Sequence, residues 1–357
     1  MLEHQTVEVL GELGLDERLR RQAFFHDGFE LRFGGERHRI PMAELAGGRQ
    51  AVIYGQQEIV KDAIAARLET GDPLHFEVSD VRFEDLASDR PHIRYVHEGC
   101  ERLLECDLIA GCDGFHGVSR PSIPSGVLTT YSRDYPFAWL GIVADVEPST
   151  YELIYAMHER GFALHSMRSC SVSRFYLQVC PSEDLAAWPD ERVWEELSLR
   201  LETNDDWMLK TGPVTKKDVT AMRSFVIEPM QYGNLFLAGD AAHIVPPTAA
   251  KGLNLAVADI CLLGDAIVSW YDHGERALLD SYTETALTRV WRAQHFSRMM
   301  TWLLHHDAEC PMDARLQRAY LDELVGSEPA LTAFCENYVG LPLAARMHYP
   351  YPSATAA

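Results

Sequence analysis

The segment Leu235-Phe236-Leu237-Ala238-Gly239-Asp240-Ala241-Ala242-His243 constrains the fold of this chain more than any other. An apolar run that stops at Gly-Asp reads as a buried strand. It is followed by Pro246-Pro247-Thr248-Ala249-Ala250-Lys251-Gly252-Leu253-Asn254 and a helical pattern to about Trp270. A buried strand that turns straight into a helix belongs to α/β layering, in which ligands gather at the carboxyl ends of the strands. Asp240 would stand there, able to accept hydrogen bonds from a hydroxyl-rich ligand; the other reading is a cap on the following loop. The prolines make a rigid turn, and the free N–H groups and positive dipole end of the helix start favour an anion.

The rest of the chain fits a mixed α/β protein. With 357 residues and 47% hydrophobic content it can build one large domain or two. A formal charge of -21, spread along the chain, argues against nucleic-acid or anionic-membrane partners. Eight cysteines show no CxxC pair or compact disulfide spacing, so reduced thiols in a cytoplasm are expected. The most apolar stretch, 253–270, carries Asp259 and Asp265 and is read as falling short of a membrane span. Helices are expected over 2–15, 59–68, 251–270, 277–305 and 315–324. Strands are expected over 51–54, 92–95, 103–109, 137–146, 162–167, 175–179 and 234–238, with a turn at 169–173.

Two further constellations could carry chemistry. In Asp107-Leu108-Ile109-Ala110-Gly111-Cys112-Asp113-Gly114-Phe115-His116-Gly117-Val118-Ser119-Arg120, a strand ends in small residues and Asp-Gly with basic groups behind; a surface turn is the plain alternative. In the sheet-rich region, Ser166 and Arg168 sit two apart on one strand, as do Arg174 and Tyr176 on the next, with Tyr155 before them. Residues two apart share a face, and a hairpin would bring both pairs together. Two guanidinium forks and a hydroxyl there could bind a carboxylate. An exposed polar sheet face is the competing reading.

These elements occur in the order found in the class A flavoprotein aromatic hydroxylases, which the chain resembles from Leu2 to about Leu343. Matching segments include Val52-Ile53-Tyr54-Gly55-Gln56, Asp113-Gly114, Glu152-Leu153-Ile154-Tyr155, Arg160-Gly161-Phe162-Ala163-Leu164, Gly239-Asp240 and Glu336-Asn337-Tyr338-Val339-Gly340-Leu341-Pro342. The resemblance is to members that hydroxylate 4-hydroxybenzoate to 3,4-dihydroxybenzoate with NAD(P)H and O2. It implies a Rossmann-like FAD-binding domain in two parts, 1–134 and 226–275. An inserted substrate-binding sheet domain would span 135–225, a helical region 276–345 and a tail 346–357. Arg168 would then pair with the substrate carboxylate, with Ser166 and Tyr176 as partners, while Tyr155 would contact the phenolic oxygen. Tyr155, Tyr338 and His26 match a proton relay, and Pro247 offers a carbonyl near the substrate hydroxyl. Gln56, Asp113, Asp240, Leu253 and Asn254 match FAD contacts. Arg174 matches a residue that supports flavin movement, and His116 and Arg223 match contacts to NADPH or NADH. A homodimer is also implied.

The family opens with a strand, a GxGxxG turn and a helix that this sequence does not contain, so the Rossmann unit is expected to be truncated at its N-terminus with open sheet edges. Ala249 stands where the family usually has glycine. Two other outcomes follow from the same residues. The chain could be an aromatic-acid binder deficient in FAD, or a hydroxylase of another hydroxybenzoate.

Overall fold

The computed structural model describes residues 1–340. The expected tail 346–357, the end of the helical region and the Leu341-Pro342 pair lie outside the described residues. The main scaffold is an eight-stranded sheet in the order His243–Ile244, Val214–Glu228, Thr129–Ala144, Ser173–Val179, Ala163–Met167, Leu153–Ala156, Phe29–Phe33, Glu36–Ile40. All pairings are antiparallel except Leu153–Ala156 against Phe29–Phe33.

The alternation in Ser173–Val179 explains how this sheet presents a site. Ser173, Phe175, Leu177 and Val179 are buried, while Arg174, Tyr176 and Gln178 between them are half-buried on the other face. The apolar face packs against Val193 and Leu197 of the helix Asp190–Arg200 and against Trp188. One face is thus filled with hydrocarbon, and the opposite face is left to carry Arg174 and Tyr176.

The strand expected before Gly239-Asp240 is present as Leu235–Leu237. It lies parallel to Ile109–Gly111, with Leu237 opposite Gly111, so the two Asp-Gly and Gly-Asp turns leave the same sheet edge together. The helix Gly252–His273 follows, and its Leu255, Leu263 and Ala266 join a core with Leu279, Tyr282 and Val290. This helix is long and apolar enough to cross a membrane, which corrects the sequence reading that it falls short. Its place in the core accounts for that composition.

Several segments differ from expectation. The run 103–109 divides into Cys100–Glu105 and Ile109–Gly111, because Cys100–Glu105 pairs outward in a three-stranded meander with Ser79–Glu84 and His92–His97. The helical run 277–305 divides at Ser281 into Ala277–Asp280 and Tyr282–Leu304. Phe29–Phe33 and Glu36–Ile40 carry no clean alternation. Phe29–Phe33 is buried throughout, and Arg32 and Glu30 pair with each other inside. Both strands join the large sheet although they precede the expected substrate domain. The boundaries at 134/135 and 225/226 fall inside Thr129–Ala144 and Val214–Glu228, two strands that run from one layer into the next. The helix Gln56–Glu69 buries none of its residues and leaves Val60 and Leu68 exposed, and Ile109–Gly111 has a strand partner on one side alone.

Three buried histidines make the fold acid-sensitive. Burial lowers His26 to about 4, and His165 and His305 to about 3. Each is neutral in both states at pH 7. Below about 6.5 the unfolded chain takes up protons that the folded one refuses, so stability falls as pH drops from about 6.5 towards 3–4. Urea midpoints measured from pH 7 to pH 4 should fall steadily, with a loss on the order of 3–5 kcal/mol per histidine across its window. Replacing His165 by a neutral residue should flatten that slope; an unchanged slope would contradict the assignment.

Candidate functional site

A cavity of about 610 Å³ opens between the large sheet and the Gly239-Asp240 turn. That volume is in the range of small-molecule sites, roughly 300–1,000 Å³. The sheet contributes Tyr155, Ser166, Arg168, Arg174 and Tyr176, and the turn and helix contribute Asp240, Pro247, Thr248 and Leu253, with Gln56 from the start of its own helix.

The expected hairpin forms. Ala163–Met167 and Ser173–Val179 pair antiparallel with Ser166 opposite Arg174 and Leu164 opposite Tyr176, and the Arg168 N–H donates to the Val172 carbonyl at 2.8 Å to close the turn. The Arg174 guanidinium lies 4.7 Å above the Tyr176 ring, and its Nε is buried without a hydrogen-bond partner. Burial and the neighbouring Arg174 lower the Arg168 pKa, although Arg168 keeps surface open to the cavity. Neither arginine meets a carboxylate among the described contacts, and Asp240 stands at the turn side, so the hairpin end of the cavity carries positive charge suited to an anionic group.

Behind the cavity wall, the hydroxyl of the lining residue Tyr155 is hydrogen-bonded to that of Tyr338 at 2.8 Å. Both rings are buried, and Phe29 stacks on Tyr338 at 4.6 Å and meets Tyr155 edge-on at 5.8 Å. Desolvation pushes Tyr155 up to about 12 and Tyr338 well above the ordinary phenol value. His26 lies on Phe24–His26, paired with Ala51–Ile53; among the described residues both of its buried ring nitrogens are without a partner, and no hydrogen bond joins it to either tyrosine.

The turn side is held by charges that sequence reading passed over. Asp259, buried in the helix Gly252–His273, accepts the Gly239 N–H at 2.8 Å and bonds His243 Nε2 at 2.7 Å. Gly239 has φ +62, and a Cβ there would come 3.1 Å from Ala256, so the turn is pressed against the helix. Lys251, also buried, donates to Glu3 at 2.6 Å and to the carbonyls of Asn337 and Tyr338 at 2.6 and 2.9 Å. It ties the N-terminal segment, the turn and the Tyr338 helix together. Ala249 is helical and buried; the left-handed position is the next residue, Ala250, at φ 52. The alanine at 249 therefore places no demand on the backbone that glycine alone could meet.

Three expected residues use their side chains elsewhere. Asp113 accepts from the Ser119 N–H at 2.8 Å and from the Ser119 hydroxyl, which caps its own loop. Asn254 accepts from the Glu3 N–H and the Thr6 hydroxyl and donates to the Ala250 carbonyl. Arg223 pairs with Asp134 at 2.9 Å and lies 5.2 Å over Phe115. His116 meets the same Phe115 edge-on at 5.0 Å, so His116 and Arg223 cluster around one ring outside the cavity. Arg120, quoted in the sequence motif without a role, donates to the Phe115 and Ala241 carbonyls and joins that cluster to the turn. Trp139 and His305 carried no sequence signal. His165 is fully buried and accepts from the Ser149 N–H, a packed residue.

The residues present fit a flavin. A glycine at positive φ leads into Asp240 on the cavity rim, a long helix begins at Gly252, and Gln56 faces the same space. Desolvation raises the Asp240 pKa, against the opposing pull of His243; donors that reach this carboxylate would lower it again.

Comparison with known proteins agrees. Residues 1–297 match the family described as FAD binding domain. Over 343 residues, 96% of this chain and 85% of the relative, the sequence is 44% identical to p-hydroxybenzoate hydroxylase of Acinetobacter baylyi. Kynurenine 3-monooxygenase of Salinispora tropica is 24% identical over 74% of this chain and 63% of its own. Among solved structures, p-nitrophenol 4-monooxygenase of Pseudomonas putida superposes with a TM-score of 0.76 at 18% identity, over 96% of this chain and 88% of that one.

The buried Glu3–Lys251 pair gives a stability test. Lys251→Met should destabilise by about 3–5 kcal/mol, because Glu3 is left charged and unpaired in the interior. Adding Glu3→Gln should restore part of that loss in thermal melts. If Glu3→Gln shifts melting equally in the native and Lys251→Met backgrounds, the pair is not coupled.

Proposed function

The chain belongs to the FAD-dependent aromatic hydroxylases, flavin monooxygenases that use NAD(P)H, and from that membership we propose that its own substrate is 4-hydroxybenzoate, converted to 3,4-dihydroxybenzoate. The observation that carries this reading is the pairing of two features at one cavity: arginines at the hairpin without a paired carboxylate, and Tyr155 in its wall, hydrogen-bonded to the buried Tyr338 behind it. A para-hydroxylated benzoate has an anionic group and a phenol at opposite ends of one ring. Arg168 would take the carboxylate with Ser166 and Tyr176 beside it, which leaves the phenol for Tyr155.

FAD held by Asp240, Gln56 and Leu253 would accept hydride from the nicotinamide and supply the activated oxygen atom. The chain's residues then have to prepare the ring. A phenol of pKa near 10 is neutral at pH 7, and its deprotonation makes the ortho carbon more nucleophilic. Both tyrosines are held neutral by burial. On this reading they relay a proton by exchanging hydrogens along the 2.8 Å bond rather than by persisting as anions. His26, neutral with its pKa lowered to about 4 and not bonded to either tyrosine, would pass the proton on towards solvent through a bridging group rather than hold it. The Pro247 carbonyl would orient the substrate hydroxyl. Arg174, stacked on Tyr176, would balance flavin charge as the cofactor shifts, and His116 and Arg223 around Phe115 would meet the nicotinamide dinucleotide.

The direct test is to titrate the purified chain with FAD by fluorescence quenching, then follow NAD(P)H oxidation with 4-hydroxybenzoate and assay 3,4-dihydroxybenzoate. FAD binding with substrate-stimulated oxidation and product is expected. Binding of the aromatic acid without FAD would mark an acid-binding protein, and turnover of a different hydroxybenzoate alone would move the substrate. Arg168→Gln should weaken 4-hydroxybenzoate binding about 10- to 100-fold. Tyr338→Phe should instead leave binding near normal and cut product formation on the order of 100-fold.

A further inference from the structure

The inner wall of the cavity is set by two residues that do not line it. We infer that His305 is a positioning residue for the hydroxylation site, acting with Thr301 one helical turn before it to hold the indole of Trp139 and the Pro247-Thr248 turn in place. The inference rests on the proposed substrate for its functional consequence. Its geometric part stands without it.

The hydrogen-bond directions are fixed by chemistry. Trp139 Nε1–H donates to His305 Nε2 at 2.7 Å. An indole can only donate, so Nε2 is bare. The proton therefore sits on Nδ1, which lies 2.9 Å from the Thr301 carbonyl and donates to it. The ring is neutral, fully buried and used at both ends, and it is clamped between Phe137 and Phe162, each 4.7 Å away in stacked geometry. Thr301 repeats the arrangement one turn earlier. Its single hydroxyl proton goes to the Ser297 carbonyl at 2.7 Å, so the Thr248 hydroxyl is the donor in the 2.8 Å bond between the two threonines.

The last turn of Tyr282–Leu304 and the residue that follows it thus reach two lining groups. Trp139 lines the cavity and lies 4.6 Å from Tyr176, the residue set beside the carboxylate end of the substrate. Thr248 also lines the cavity, next to Pro247 at the hydroxyl end. One rigid template spaces the two ends of the ring-shaped site. A phenylalanine at 305 would fill the same slot between aromatic rings but leave the indole N–H buried and unpaired, which frees Trp139 to shift against Tyr176. A glutamine retains an acceptor oxygen.

The test compares His305→Phe, His305→Gln and Trp139→Phe in the full chain. Solvent exchange of the Trp139 indole N–H, read by proton–nitrogen NMR and assigned through Trp139→Phe, should be slow in the native chain. It should be at least tenfold faster in His305→Phe and slow again in His305→Gln. With FAD bound, KM for 4-hydroxybenzoate should rise about tenfold in His305→Phe, the factor carried by one displaced hydrogen bond, with kcat changed less than threefold and FAD affinity unchanged. His305→Gln should recover most of the KM. In the Trp139→Phe background, His305→Phe should add little, since the shared bond is already gone. Lower thermal stability with unchanged KM and unchanged indole exchange would overturn the inference and leave His305 a core residue. If the native chain binds no 4-hydroxybenzoate, the substrate reading fails and indole exchange alone decides whether His305 holds Trp139.

Discussion

The turn that faces the cavity depends on a carboxylate buried in a helix. Asp259 has no access to solvent, and its oxygen is shared between the Gly239 N–H and the His243 ring. That arrangement fixes the turn between a parallel strand and the helix Gly252–His273, and so fixes where Asp240 can stand. A backbone amide and an imidazole satisfy the buried acid, which would otherwise be costly. Lys251 works on the same helix from its start, where it binds Glu3 and the carbonyls that precede and carry Tyr338. The Gly239-Asp240 turn and the Tyr338 helix are thus anchored to opposite ends of one short stretch, 251–259.

Electrostatics divide the molecule. A chain of formal charge -21 places two arginines without carboxylate partners in its central cavity. The overall field repels small anions from the surface, and the local field at Arg168 and Arg174 attracts them once inside, where the low-dielectric walls strengthen it. On the proposed reading, selectivity for an anionic ring would come from depth more than from steering. Burial keeps the two tyrosines uncharged, so they do not cancel that field, and keeps His26 neutral, so it does not add to it.

The sequence disclosed the parts whose signal is local. Gly239-Asp240 announced itself because an apolar strand, a glycine and a proline turn stand together in sequence, and Arg168 and Tyr176 because period-2 spacing survives in a hairpin. The strand Phe29–Phe33 was hidden, since both of its faces are covered and its charged residues pair with each other, which removes the alternation. The anchors were hidden for a different reason. Asp259 reads as a polar residue interrupting a helix, Lys251 as part of a motif, and His305 as the end of a helical run; each acquires its role from partners as far as 248 residues away, for Lys251 and Glu3. Asp113 and Asn254 show the converse. Their positions match cofactor contacts, yet their side chains hold their own loop and the N-terminal segment.

The helix Gly252–His273 has the length and apolarity of a membrane span, and its cover includes Tyr282 and Val290 from helices that follow it in the chain. During synthesis it leaves the ribosome before those residues emerge, and for that interval part of its apolar surface lacks its final cover. Asp259 and Asp265 then have a second task. Each aspartate in the middle of such a segment costs a translocon roughly 2.5–3.5 kcal/mol to place in lipid. The acid that later orders the active-site turn would, on the emerging chain, bias the helix away from the bilayer and towards its own fold.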